Sequence, residues 1–216
     1  MSDDRTAWLR RFYDSEAAGY DATRGGEPRG ALAAAAFAQL LGPPGGPGGP
    51  VLEVGTGTAV VAGELRRRGY PVLGVDVSLG MLRQAGSRLP GCLVQGDGAA
   101  LPLPDAGCRA VVLSWVLHLV DNPLDLVREA ARVIEPGGRL VTTVNKSASS
   151  RAVATAQPVT TETREVTDDP LVLGALAAEL GLEPSGSASY VAQGQHGAPT
   201  YEIKSWARPA RAPGPR

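Results

Sequence analysis

The stretch VLEVGTGTAVVAGELRRRGYPVLGVD, Val51 to Asp76, decides the fold. It opens on a short apolar run, breaks at Gly55-Thr56-Gly57, continues with apolar residues at helical spacing, and closes on a second apolar run ending in an acid. Glycines let a backbone turn sharply and approach a ligand, and a helix starting there exposes unpaired N–H groups. The pattern predicts a buried strand, a ligand loop, a helix and a second buried strand.

Outward from that unit the alternation repeats. LGMLRQAGSRL (79–89) reads as a helix, CLVQGD (92–97) and RAVVLSWV (109–116) as strands, PLDLVREAARVIEPGG (123–138) as a helix and RLVTTVN (139–145) as a strand. Such βαβ repetition predicts an α/β fold, Rossmann-like and doubly wound, with a mostly parallel seven-stranded sheet. DPLVLGALAAELGLEPSG starts a last helix at Asp-Pro, and ASYVAQGQHGAPTYEIKSWA reads as two strands joined around Gly194 to Pro199, an antiparallel pair at the sheet edge. Upstream, residues 3–20 and 30–41 read as helices that GPPGGPGGP (42–50) stops. The expected organisation is an N-terminal helical cap (1–41), a flexible Pro/Gly linker (42–50), a ligand-binding domain (51–207) and a disordered tail (208–216). Lys146 to Asp169, rich in Ser, Thr, Ala and Val without periodicity, reads as a loop and candidate lid over the strand ends.

With 216 residues, of which 43% are hydrophobic, the chain suits one domain, and its 21 basic against 22 acidic residues leave a net charge of -1. Nothing in that balance resembles the basic stripe of a nucleic-acid binder. The first twenty residues contain acids and no apolar run, so neither a secretion signal nor a membrane span is expected, and the expected location is cytoplasmic. Cys92 and Cys108 match no metal-ligand spacing, and no metal is expected. His196 falls in the edge turn, where a surface position is expected.

The loop poses a choice of ligand. Gly55-Thr56-Gly57 begins like the dinucleotide fingerprint G-x-G-x-x-G/A, but Val60 stands where the third small residue belongs, and Glu53 would face a pyrophosphate. S-adenosyl-L-methionine carries a sulfonium, an ammonium and a carboxylate, and no phosphate. For that ligand the acids make sense: Gly55 and Gly57 approach its amino-acid part, Glu53 supplies negative potential, Asp76 accepts from the ribose hydroxyls, and Asp97 accepts from the adenine amino group. Asp76 also suits turn capping, and Glu53 also suits an N-terminal helper for the loop amides.

VLEVGTGTA, GVDVSLGMLRQA, GDGAALPLPDAG, VVLSWVLHLVDNP and REAARVIEPGGRLVTTV, in that order, resemble the class I S-adenosylmethionine-dependent methyltransferases, in particular the small-molecule branch similar to the ubiquinone and menaquinone biosynthesis enzymes. Ala59 departs from the family, which usually has a third glycine there, and Cys108-Arg109 replaces a common Phe-Asp pair. The resemblance implies that Glu53, Gly55, Thr56, Gly57, Asp76, Val77, Met81, Asp97, Gly98 and Ser114 contact the cofactor. Met81 and Leu82 equally suit a helix core. FYDSEAAGYDATR looks like the family's cap, in which Tyr13, Tyr20 and Arg24 close over the methionine carboxylate; a solvated amphipathic helix is the other reading. His118, trailing the fourth strand, is a candidate general base or a structural histidine.

What the resemblance implies is a methyltransferase moving a methyl group to an O, N or C nucleophile of a small molecule, in bacterial secondary metabolism or cofactor biosynthesis. The expected partner is that acceptor, with no nucleic acid and no membrane, and the chain is expected as a monomer or homodimer. The alternative is a protein that binds the cofactor structurally and acts as a cyclase or a non-catalytic module.

Overall fold

The computed structural model describes residues 2–46, 48–145, 168–194 and 197–210. Three helices, α1 (Ser2–Glu16), α2 (Tyr20–Arg24) and α3 (Gly26–Leu41), precede β1 (Val51–Val54). Then follow α4 (Val60–Arg67), β2 (Val72–Asp76), α5 (Leu79–Ala85), β3 (Leu93–Gln95), β4 (Cys108–Leu113), α6 (Pro123–Val133), β5 (Ile134–Val144), α7 (Pro170–Glu179), β6 (Glu183–Val191) and β7 (Thr200–Ala207). The sheet runs β3-β2-β1-β4-β5-β7-β6. The pairs among β1 to β5 are parallel, whereas β7 runs antiparallel to both β5 and β6. The expected antiparallel hairpin is therefore at the edge, with β6 outermost and β7 folded back against β5.

Apolar strands covered on both faces explain the run of fully buried residues along β1. On one face Leu126, Val127, Ala130, Leu173 and Leu176 of α6 and α7 pack against Leu52, Val111 and Leu140. On the other, Ala33, Ala34 and Phe37 of α3 join Val61, Ala62 and Leu65 of α4 against Val51, Ala110, Val112 and Ile203. The N-terminal segment thus divides its work: α3 is a core helix of the sheet, and α1 and α2 reach the strand ends.

The sequence predicts that the helix from Pro123 continues through Glu135-Pro136-Gly137-Gly138, but α6 stops at Val133 because Ile134 already pairs with Cys108. The register then skips to Arg139 opposite Ala110, and Gly137 turns in the left-handed region at φ +84°. Gly25, φ +84°, breaks the helix expected to end at Tyr20 away from α3; a Cβ there would stand 2.4 Å from the Gln193 carbonyl oxygen. The linker expected to be flexible is tied down. Tyr70 donates its hydroxyl to the Gly42 carbonyl at 2.5 Å, Arg109 donates to the Pro43 carbonyl at 3.1 Å, and Gly49 N donates to the Glu135 carboxylate at 3.1 Å. Arg208, placed in the expected tail, donates to the Ala131 carbonyl at 2.6 Å.

Residues 146–167, which hold nearly all of the expected lid, lie outside the described residues, as do Gln195, His196 and residues 211–216. Asn145 N donates to the Asp168 carbonyl at 2.9 Å, and Asp169 caps α7 by accepting from Leu171 N at 2.7 Å. Among the described residues no helix is long and apolar enough to cross a membrane.

Candidate active site

The chain leaves β1 toward β2 and β3 on one side and crosses to β4 and β5 on the other. The carboxyl ends of β1 and β4 therefore flank the point where strand order reverses, which is where open α/β sheets leave a crevice. A cleft lies there, roofed by Thr6, Leu9 and Tyr13 of α1 and by Tyr20 and Arg24 of α2. Its lining includes every residue assigned above to the cofactor, from Glu53, Gly55, Thr56 and Gly57 through Asp76, Val77, Met81, Asp97, Gly98 and Ser114 to Tyr20 and Arg24.

The acids are held firmly. Glu53 is 1% exposed; one carboxylate oxygen accepts from Thr56 Oγ1 at 2.8 Å and Ala62 N at 3.0 Å, and the other accepts from the Ser114 hydroxyl. Burial pushes its carboxyl up to about 7 against the pull of those three hydrogen bonds, with the neighbouring Asp76 charge adding to the rise. Asp76 accepts from Gly57 N at 2.7 Å and Ser78 N at 2.8 Å; burial raises its carboxyl above the usual range and these N–H groups oppose the rise. Asp97 is exposed and accepts from Ala99 N at 2.9 Å, so it caps its own turn while lining the cleft.

These bonds determine what the loop can hold. Two amides around the start of α4, Gly57 N and Ala62 N, donate to Asp76 and Glu53. A pyrophosphate would meet amides already engaged and two buried carboxylates, whereas a cationic, phosphate-free ligand meets complementary charge. Gly57 has φ +54° and open space where a Cβ would stand, so the loop backbone is bare toward the cleft. Ala59, in the family's third-glycine position, adopts φ +59°. That left-handed conformation is the physical reason glycine suits the position.

The cap is latched to the loop and to α5. Thr58 Oγ1 donates to Asp21 at 2.6 Å, and Arg88 pairs with Asp21 at 2.8 Å. Asp14 accepts from Ser78 Oγ at 2.7 Å and Gly80 N at 2.8 Å, which holds its carboxyl below the usual range. Tyr13 and Tyr20 meet edge to face at 6.0 Å, and Arg24 lies 5.1 Å from the Tyr20 ring centroid and 3.6 Å from the Glu16 carboxylate. Met81 is buried and lines the cleft; Leu82 is buried away from it.

His118 stands on the short 3-10 turn Leu117–Leu119, half-buried. The turn presents Leu119 and Val120 to the cleft, and His118 is not among the lining residues.

Trp115 and Arg29 are among the lining residues that the sequence does not single out. Trp115 follows β4 at φ +54°, a conformation that is strained for an aromatic residue and persists where the surroundings hold it. Its amide donates to Thr143 Oγ1 at 2.9 Å, and the Arg29 guanidinium covers its ring 3.6 Å from the centroid. Arg29 itself is 5% exposed. A bulky ring in LSWV just past a strand end, and an Arg beside the Ala-rich GALAAAA, were the signals available.

Residues 52–142 match the family described as a methyltransferase domain. Over 94 residues the chain is 43% identical to the demethylmenaquinone methyltransferase of Corynebacterium kroppenstedtii, a match covering 44% of this chain and 41% of that protein. The matched stretch spans less than half the length of the curated relatives, 41% to 47% of it. Among solved structures, the fold is similar to that of an S-adenosylmethionine-dependent methyltransferase from Thermotoga maritima (TM-score 0.62, 18% identity, 84% of this chain and 90% of that one). It is also similar to that of the [4+2]-cyclase SpnF (TM-score 0.68, 19% identity, 95% and 97%). Such identities show the architecture alone, which serves more than one chemistry.

Proposed function

We propose that this chain, whose residues 52–142 match the methyltransferase-domain family, binds S-adenosyl-L-methionine across the strand ends and directs its methyl group to an O, N or C nucleophile of a small molecule. The observation that carries this reading is the bonding of the loop: two of its amides, Gly57 N and Ala62 N, are engaged by Asp76 and Glu53, and these two buried carboxylates line the cleft where a phosphate would sit.

The group, when bound, supplies an electrophilic methyl on a cationic sulfur that leaves as a neutral thioether. The chain's own part is placement. Asp76 and Asp97 take the ribose and adenine end, the loop at Gly55 and the bare backbone at Gly57 lie along the amino-acid end, and Arg24 is the cation for its carboxylate. Glu53 fastens the loop to β4 and keeps negative potential beneath the site. Leu9, Leu119, Val120 and Leu126 form apolar walls that exclude water, so that alignment and a dry site account for the rate. No step is placed on His118. Because the curated relatives are matched over less than half their length, their acceptor is not carried over.

The test is transfer itself: S-adenosylmethionine labelled in the methyl group, incubated with the protein and pools of small phenols, amines and carboxylic acids, followed by chromatography. Label in a small-molecule product together with S-adenosylhomocysteine is expected. Cofactor bound with no label moved to any acceptor class would leave a binding protein.

A further inference from the structure

Among the described residues Arg29 is a cation without an anion. A guanidinium has five N–H donors, and burial in protein is costly unless a counter-charge or hydrogen bonds compensate. Arg29 is 5% exposed, yet among the described residues the only hydrogen bond of its guanidinium joins Nη1 to the Arg24 carbonyl at 3.2 Å. Its Nε is buried with no partner. Among the described residues it forms no ion pair, and the carboxylates that share the cleft have other partners: Asp21 has Arg88 and Thr58, Glu53 has Ser114, Thr56 and Ala62, Asp76 has the Gly57 and Ser78 amides, and Asp97 has the Ala99 amide. Instead the guanidinium lies on Trp115, with the Tyr201 ring centroid 5.2 Å away. Stacking fixes its plane and leaves its edge for a ligand.

Its place in the sheet says which ligand. The acids assigned to ribose and adenine lie at the ends of β2 and β3, on one side of β1. Arg29 covers a residue at the end of β4 and approaches one on β7, on the other side. The amino-acid part of the cofactor has one carboxylate, for which Arg24 already stands in the cleft. We propose that Arg29 is the recognition group for an acidic substituent, a carboxylate or its equivalent, on the methyl acceptor. The site rests on the methyltransferase reading only for the identity of its occupant; the anion preference itself does not depend on it.

Benzoate and its neutral counterpart benzamide are the probes, titrated by ligand-observed NMR with and without saturating S-adenosylhomocysteine. Wild type is expected to favour benzoate by about tenfold or more, as a charge-assisted pair requires, and S-adenosylhomocysteine is expected not to displace it. Arg29→Met should abolish the preference while leaving S-adenosylhomocysteine affinity within about twofold, and Arg29→Lys, which keeps the charge, should retain part of it. Melting temperatures of both variants show whether they are folded; if Arg29→Met is not, the Lys variant and the displacement experiment in wild type decide. Equal affinity for the two probes overturns the proposal. So does displacement of benzoate by S-adenosylhomocysteine, which would assign Arg29 to the cofactor carboxylate. If wild type ignores S-adenosylhomocysteine but still selects benzoate through Arg29, the anion site stands and the methyltransferase reading falls.

Discussion

Glu53→Gln separates the electrostatic part of the site from its shape. The glutamine has the same size and retains an acceptor oxygen, but carries no titrating group. In the folded protein burial raises the Glu53 carboxyl from its ordinary 4.5 to about 7. A raised acid means that the native state holds a proton which the unfolded chain releases between pH 4.5 and 7; stability from this group is therefore full below pH 4.5 and lost as pH rises to 7. At 1.36 kcal/mol per pH unit across that interval, the loss is about 3 kcal/mol. Asp76 acts in the same direction, and Asp14 and Glu129, whose carboxyls are lowered, act in the opposite one at lower pH. Asp14 and Glu129 are common to both proteins and cancel in the difference, while Asp76 is relieved in the variant of its repulsion with the Glu53 charge, which adds to the gain at high pH. Replacing a carboxylate oxygen by an amide NH2 sacrifices one of the bonds to Thr56, Ala62 or Ser114, about 1–2 kcal/mol. Urea unfolding of the ligand-free proteins at intervals from pH 4 to 8 should show the variant less stable by that amount at pH 4 and as stable as wild type, or more so, at pH 8. A difference that stays constant across the range would refute the reasoning, because it would mean that Glu53 does not titrate there.

Asp76→Ala leaves the Gly57 and Ser78 amides without their acceptor, so a stability loss of about 2–4 kcal/mol in urea unfolding is expected along with a tenfold or greater weakening of S-adenosylhomocysteine binding; an unchanged midpoint would show that water replaces the carboxylate. Gly57→Val places a branched side chain at φ +54° in open cleft space: cofactor binding measured by calorimetry should vanish, and about 1–2 kcal/mol of stability should be lost to left-handed strain. His118→Gln should leave kcat and its pH profile near wild type, since the residue does not line the cleft; a fall of about 10²–10⁴-fold with loss of a limb near pH 6.5 would make it the base.

Periodicity and glycine placement carried most of the fold. βαβ order, the strand-end acids and the loop follow from local pattern because a parallel sheet covered on both faces demands continuous apolar strands. What escaped depends on contacts far apart in sequence. The place of α3 in the sheet layer rests on Ala33, Ala34 and Phe37 meeting α4 and Ile203, and an Ala-rich helix carries little moment to announce that face. GPPGGPGGP reads as a spacer until Tyr70, Arg109 and Glu135 bind it. Gly137 turns within a strand pairing that begins at Ile134, so a helix-then-turn reading overran by several residues. In the site, Asp76 and Glu53 are legible as acids at strand ends that suit turn capping and loop amides, but their particular partners, Gly57 N and Ala62 N, are not. Arg29 and Trp115 each left a faint local signal, but nothing local links a residue on α3 with one beyond β4.

The central claim is that the cleft takes a cationic, phosphate-free nucleoside. Calorimetry of the purified protein with S-adenosylhomocysteine and with NAD, repeated on Gly57→Val, tests it most directly. The account predicts saturable binding of S-adenosylhomocysteine to wild type, none to the variant, and no heat from NAD. Binding of NAD with no response to S-adenosylhomocysteine would contradict it.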